Sequence, residues 1–320
     1  MNKLLVISLL LICGIVSAFD ELPFFTPSKR KDGRAPIRAD FKSIEESGAD
    51  RTHYAEFFGQ VPIVNTVGGP EGHHVVALSS KDSYMDTLDN SKNNKFYIPR
   101  NLYHADGTIS YTRFKGRDNW GVSVTGGSSS NKPFYSIKET DLQSTAIYRH
   151  YIDDKRTIIF LLNYSNNRAF LNNIPIPGVL YATEFTSKFG GAFGIPILYL
   201  WARPIDNMMI NLLLLPPYLL QVRASYAFAG PWQVYSFFNM FPKSYFVAER
   251  TDRWQRLFFD EKKVSLGVKG PVNDWMALDL SAGYAFDRRF FLGNRYTDRD
   301  KNPREMSHNL FFSAEAKFTF

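Results

Sequence analysis

The sequence predicts an all-β fold, an antiparallel up-and-down β-barrel that crosses a membrane with its strands. Three observations lead there. Many segments alternate apolar and polar residues with period 2, the pattern of strands whose two faces meet different surroundings. Tight turns alternate with long polar segments along the chain, as they do when one barrel rim is trimmed and the other is loose. No segment beyond the N-terminus offers the ~18 consecutive apolar residues of a membrane helix, although 16% of residues are aromatic and mean hydropathy is only -0.24. Alternating lipid-facing and lumen-facing residues give that combination.

The chain opens with an export signal. Lys3 precedes the apolar run Leu4 to Val16, and Val16-Ser17-Ala18 supplies the small residues of a cleavage site, which predicts a signal peptide over 1–18. About 13 apolar residues fall short of the roughly 20 that span a bilayer. Cys13 is the only cysteine and leaves with this segment, so the mature chain has neither disulfide nor thiol chemistry. Ile12 before Cys13 is a poor residue for lipidation. The formal charge of +7 loses only Lys3, leaving 7 − 1 = +6. The basic residues are scattered and no DNA-binding motif is present, so nucleic acid is not the expected partner. Anionic lipid head groups, lipopolysaccharide phosphates and small anionic solutes are better matched to this charge.

Residues 19–35 hold two prolines and the run Lys29-Arg30-Lys31, and read as a periplasmic tail. The barrel then occupies 36–320. Ile37, Ala39 and Phe41 alternate with Arg38, Asp40 and Lys42; further strands cover His53 to Val64 and His73 to Ser80, and Lys81 to Asn101 reads as a long loop. Strands around Thr108 to Tyr111 and Trp120 to Val124 flank a K-G-R-D-N turn, and those at Leu142 to Tyr151 and Arg156 to Ser165 flank another. Arg168 to Gly194 contains N-N-I-P-I-P-G and G-G-A-F-G and is expected to be an outer loop, with a hairpin extension or a fold into the lumen as its alternatives. Prolines at 196, 204, 216 and 217 make Ile195 to Leu220 strands with turns rather than membrane helices. Tight turns follow at Pro204 to Asn207, Ala229 to Pro231 and Gly270 to Asp274, and longer polar segments at Gly126 to Glu139, Ala248 to Arg256 and Leu292 to Met306. The tally is about 14 strands, with 12 or 16 as neighbours under the even-number rule.

The final stretch, S-H-N-L-F-F-S-A-E-A-K-F-T-F, places Leu310, Phe312, Ala314, Ala316, Phe318 and Phe320 on one face. It resembles the closing strand of Gram-negative outer-membrane barrels, and the resemblance implies that Phe318 and Phe320 form the signal read by the barrel-assembly machinery. The run Asp141 through Asn163, G-I-P-I-L-Y-L-W-A-R-P-I-D-N and V-S-L-G-V-K-G-P-V-N-D-W-M-A-L-D-L-S-A-G-Y-A-F-D-R-R are similar to an uncharacterised family of such barrels. The resemblance covers roughly the C-terminal two-thirds and implies a fold and the outer membrane as location, with no activity.

Catalytic patterns are absent from the sequence. His73 and His74 are adjacent and point to opposite strand faces, so they do not chelate together. No Gly-rich phosphate loop and no H-E-x-x-H occur, no spacing ties a nucleophile to His308, and no metal or cofactor is expected. An enzyme is therefore not the reading. On the alternation, Arg149, Arg223, Lys263, Lys269 and Lys317 fall inward against Asp279, Asp287 and Glu315, which predicts a mildly basic lumen. A porin-like channel or solute-uptake barrel is the leading expectation; a structural barrel with adhesive outer loops is the alternative, and a lipid or peptide hydrolase stands third. Oligomeric state is not written in these residues.

Overall fold

The computed structural model describes residues 37–320, except 49, 67–72, 89–95, 169–170 and 217. The signal peptide expected at 1–18 and the tail expected at 19–35 lie outside the described residues. Eighteen strands form one antiparallel sheet. They are β1 (Arg38–Glu46), β2 (Arg51–Thr66), β3 (His73–Leu88), β4 (Asn101–Lys115), β5 (Asp118–Ser130), β6 (Thr140–Tyr151), β7 (Arg156–Ser165), β8 (Ile176–Thr186) and β9 (Phe189–Ile195). The second half holds β10 (Leu198–Ala202), β11 (Met208–Leu215), β12 (Leu219–Ala229), β13 (Trp232–Met240), β14 (Lys243–Tyr245), β15 (Arg256–Pro271), β16 (Met276–Gly293), β17 (Arg304–Met306) and β18 (Asn309–Thr319). β13 and β14 pair along the same edge of β15, and β17 and β18 along the same edge of β16, so each couple is one interrupted stave. Eighteen strands less these two continuations leave a closed barrel of 16.

Sixteen replaces the expected 14, and the missing pair is identifiable. Arg168 to Gly194 is not an outer loop: it contains β8 and β9, a hairpin of its own. The glycines that suggested a loop are there because the strand is crowded. A Cβ on Gly194 would lie 1.8 Å from the carbonyl oxygen of Val179, and one on Gly190 would lie 2.7 Å from the Trp201 ring. Elsewhere polar residues hid strand extensions. β3 continues to Leu88, β5 to Ser130 and β16 to Gly293, all within stretches expected to be loops.

β1 and β18 close the ring in register from Arg38 opposite Thr319 to Glu46 opposite Phe311. Beyond the strand ends, Ile37 N–H donates to Phe320 O (3.1 Å) and Phe320 N–H to Ile37 O (2.9 Å). Both described chain ends therefore share one rim with the short turns at 116–117, 152–155, 187–188, 230–231 and 272–275. The opposite rim carries the long connections. Its outward wall is the expected one for lipid: Leu78, Ile109, Val122, Val124, Phe160, Leu162, Val264, Leu266 and Leu280 are all exposed. Near the turn rim Trp275, Phe318 and Phe320 stack in one outward row, with Phe41 edge-on to Phe318 at 6.1 Å. Such rings suit the head-group layer, where one end is apolar and the other wet.

The wall is uneven in height. β2 and β3 have 16 residues each and β16 has 18, whereas β9, β10 and β11 have seven, five and eight. At the tall side the outer ends of β2, β3, β4, β14, β15 and β16 bring Tyr54, Met85, Leu102, Tyr245, Phe259 and Phe290 into one buried apolar cluster.

Candidate functional site

The inward wall divides into two unlike halves. From β6 to β12 it is apolar: Ile147, Ile159, Leu180, Tyr199, Trp201, Leu213 and Leu215 form a continuous cluster, each at most 8% exposed. Tyr199 satisfies its hydroxyl by donating to Asn211 Oδ1 at 2.9 Å. This half is packed like a core.

The other half is ionic. Following register across the wall gives one unbroken inward row: Lys269 opposite Asp279, Asp279 opposite Glu315, Glu315 opposite Lys42, Lys42 opposite Glu56, Glu56 opposite Ser83, Ser83 opposite His104 and His104 opposite Ser129. A second row runs beside it, from Lys317 to Asp40, Phe58, Lys81 and Asp106. Lys269 lies at the turn end of β15, whereas His104 and Ser129 lie at the loop ends of β4 and β5. Strand tilt lifts a row of paired residues along the barrel axis as it goes round, so this ladder climbs from one rim to the other. Its groups bond to one another: Lys81 Nζ to Glu56 Oε2 (3.4 Å), Lys317 Nζ to Glu315 Oε1 (3.0 Å) and Arg38 to Asp40. At the top His104 meets Asp106 through Nε2 (2.7 Å) and Ser129 Oγ through Nδ1 (2.5 Å), and Ser129 donates to Asp141.

The residues singled out from the sequence are distributed as follows. Arg149 is buried on the face of Thr145 and Ile147, at the margin of the apolar half. Arg223 lies over the rings of Tyr235 (4.5 Å) and Phe237 (4.7 Å) and makes no ion pair among the described residues. Lys269, Asp279, Glu315 and Lys317 are brought together in the ladder, where Tyr235 donates to Asp279. Lys263 sits higher, in a buried group with Glu261 (2.8 Å) and Glu46 (3.6 Å), the latter also held by Arg288 at 2.5 Å. Asp287 departs from the expected inward row. The register slips there, with Asp260 opposite Arg289 but Lys262 opposite Phe286, and Asp287 takes a left-handed φ of 49°. Its carboxylate joins Lys262 (2.5 Å), Arg289 and Arg299 on the outward side of the slip. A bulge inverts the side-chain parity that the alternation assumes. Phe318 and Phe320 stand in the aromatic row at the turn rim described above.

Sequence reasoning missed the left flank of the ladder, Lys42, Glu56, Lys81 and Asp106, and the closure above it. Lys42 alternates with Phe41 in the sequence, so that signal was available. The closure had none. From β14 the chain crosses the outer mouth before entering β15, and lands on β5 and its neighbours. The wall path between the two ends is β15, β16, β18, β1, β2, β3, β4, β5, so the crossing reaches the far side of the ring. Phe246 N–H donates to Ser129 O (2.7 Å) in a parallel bridge, and Ala248 N–H to Asn131 Oδ1 (2.8 Å). Ser244 Oγ donates to Asn167 Oδ1 (3.0 Å), and Arg256 to Asn166 O (2.8 Å). Arg250 pairs with Glu139 at 2.8 Å, with the two side chains 3% and 2% exposed. Arg250 and Arg256 also flank the Phe246 ring, at 4.5 and 5.4 Å. This strap is thus tied by backbone and side-chain bonds to β5 and to the connections that follow β5 and β7.

No family model and no curated protein matches the chain. Among solved structures it is similar to the toluene transporter TodX of Pseudomonas putida, at 6% identity and TM-score 0.44 over 95% of this chain and 93% of that one. It is also similar to an outer membrane channel from Pseudomonas putida F1, at 6% and 0.37 over 92% and 99%. Acinetobacter baumannii OccAB4 follows at 9% and 0.35 over 89% and 97%.

Proposed function

We propose that the chain is an exported outer-membrane barrel that passes small solutes along its ionic half and is held shut at the outer mouth by the strap. The observation that carries this is the ladder, a continuous line of half-exposed charged and hydroxyl groups linking the two rims beside a packed apolar half. Water and solute have one polar wall to follow. The mildly basic lumen fits this reading in reduced form. Several inward cations already have a carboxylate, whereas Arg223, Lys42 and Lys269 have no ion pair among the described residues. Arg223, which lies outside the two ionic rows, favours anions modestly. Phe318 and Phe320 belong to assembly, and the aromatic row and outward aliphatic wall to lipid and lipopolysaccharide.

Planar-bilayer recording tests the reading. Small steps of conductance are expected from the parent protein, and a reversal potential in a salt gradient on the anion side that Lys269→Glu and Arg223→Glu move toward cations. A barrel that never conducts, even with its strap released, would instead be the structural, surface-interaction barrel that the strap's many anchors favour.

A further inference from the structure

The ionic ladder does more than supply polarity; it interleaves both signs at close spacing. The first row runs Lys269, Asp279, Glu315, Lys42 and Glu56, with the carboxylates Asp279 and Glu315 side by side and a lysine flanking each; the row beside it runs Lys317, Asp40, Phe58, Lys81 and Asp106. Adjacent strands lie about 4.8 Å apart, so every carboxylate has a cation one strand or one row away. Four lysines stand against five carboxylates in these two rows (Lys269, Lys42, Lys317, Lys81; Asp279, Glu315, Glu56, Asp40, Asp106), and Arg38 on Asp40 closes the difference. Several of these side chains remain within reach of water, with 42% of Lys317, 20% of Glu56 and 25% of His104 exposed, while Asp40 and Lys81 are buried at 8%; Trp201 and Tyr199 across the lumen are 2% exposed.

A lone anion or cation moving along such a wall passes groups of its own sign as well as of the opposite one. A molecule carrying both signs a few ångströms apart can set each of its charges against the opposite one. It can replace one existing pair by two new ones and hand over to the next pair, so no charge is left uncompensated. A neutral polyol of the same size gains only hydrogen bonds. We propose that the solutes this barrel takes best are small zwitterions, such as amino-acid-like or betaine-like molecules. This rests on the channel reading above and names the solute class for the same path.

The test is swelling of proteoliposomes that hold the parent barrel, with proline and erythritol as two solutes of similar size and no net charge. The expected result is proline entry about threefold faster than erythritol, the scale of exchanging partly exposed ion pairs. Two charge-neutral double variants, Lys42→Gln with Glu56→Gln and Glu315→Gln with Lys317→Gln, should bring the ratio close to one while erythritol entry holds. Heat-modified gel mobility reports which of them is folded, and either folded variant suffices. Equal entry of both solutes through the parent overturns the inference and leaves the channel intact, as does a ratio unchanged in the folded variants. Entry of neither solute through the parent or through Arg250→Ala, whose strap is released, removes the channel reading and this inference with it.

Discussion

Arg250 and Glu139 are the pair on which the outer closure most depends. Both side chains are almost fully buried, and Glu139 also accepts from Ser136 Oγ at 2.5 Å. Arg250→Ala leaves a buried carboxylate without its cation, at a cost of about 3–5 kcal/mol. The strap should come free of β5 while the barrel wall persists. Denaturation followed by gel mobility should show a lower midpoint for the variant, and bilayer recording a larger conductance. Two other carboxylates on this rim set its acid limit. The Trp254 N–H (2.9 Å) and the Asn294 amide (3.0 Å) hold Asp252 below the usual carboxylate range, and Lys301 (2.8 Å) does the same for Asp298. A depressed folded pKa gives stability above the unfolded pKa, near 4, and loses it as pH falls through the folded value. Proteolysis of the outer loops should therefore be flat from about pH 7 to 5 and rise only below about pH 4. These residues were legible as charges in the sequence, but their partners were not. Glu139 and Arg250 lie 111 residues apart with β6 to β14 between them, and only the crossing of the mouth brings them together.

At the scale of elements, the strands with a clean apolar face were legible. β6, β12, β15 and β16 each follow the alternation read from Leu142, Val222, Val264 and Leu280. Two physical effects hid the rest. Glycine within a strand looks like a turn, which concealed β9; and a bulge reverses parity, which moved Asp287 out of the inward set. The hairpin β8–β9 is accordingly sensitive to volume. Gly194→Ala drives a methyl group into the Val179 carbonyl, and should reduce folded yield more than Gly107→Ala, where a Cβ meets nothing within 4 Å. The closing strand makes a second prediction. Removing Phe320 deletes the backbone pair with Ile37 and one ring of the Trp275 stack. Folded membrane yield should drop well below that of Ile137→Ser, a change in a loop residue that is 89% exposed. The loop from Asn294 to Arg304 is a poor control for this comparison, since Tyr296 is buried against Phe291 and bonds Asp260 at 2.9 Å.

The whole molecule combines three features: a closed wall of 16 staves, a lumen that is packed on one side and ionic on the other, and a strap across the outer mouth. The wall was foreseeable from period and rhythm. The two-sided lumen was not, because it depends on which inward faces share a row, and register is set by closure between β1 and β18. The strap is what makes the claim of a gated path testable in one measurement. Ser130 and Phe246 form a parallel bridge across the mouth, so cysteines at these two positions, with Cys13 replaced, stand within the reach of a disulfide. Single-channel conductance of the S130C/F246C barrel should be low when oxidised and should rise on addition of reductant, with no such response in the parent. Equal conductance in both redox states, or none in either, would contradict a path that the strap controls.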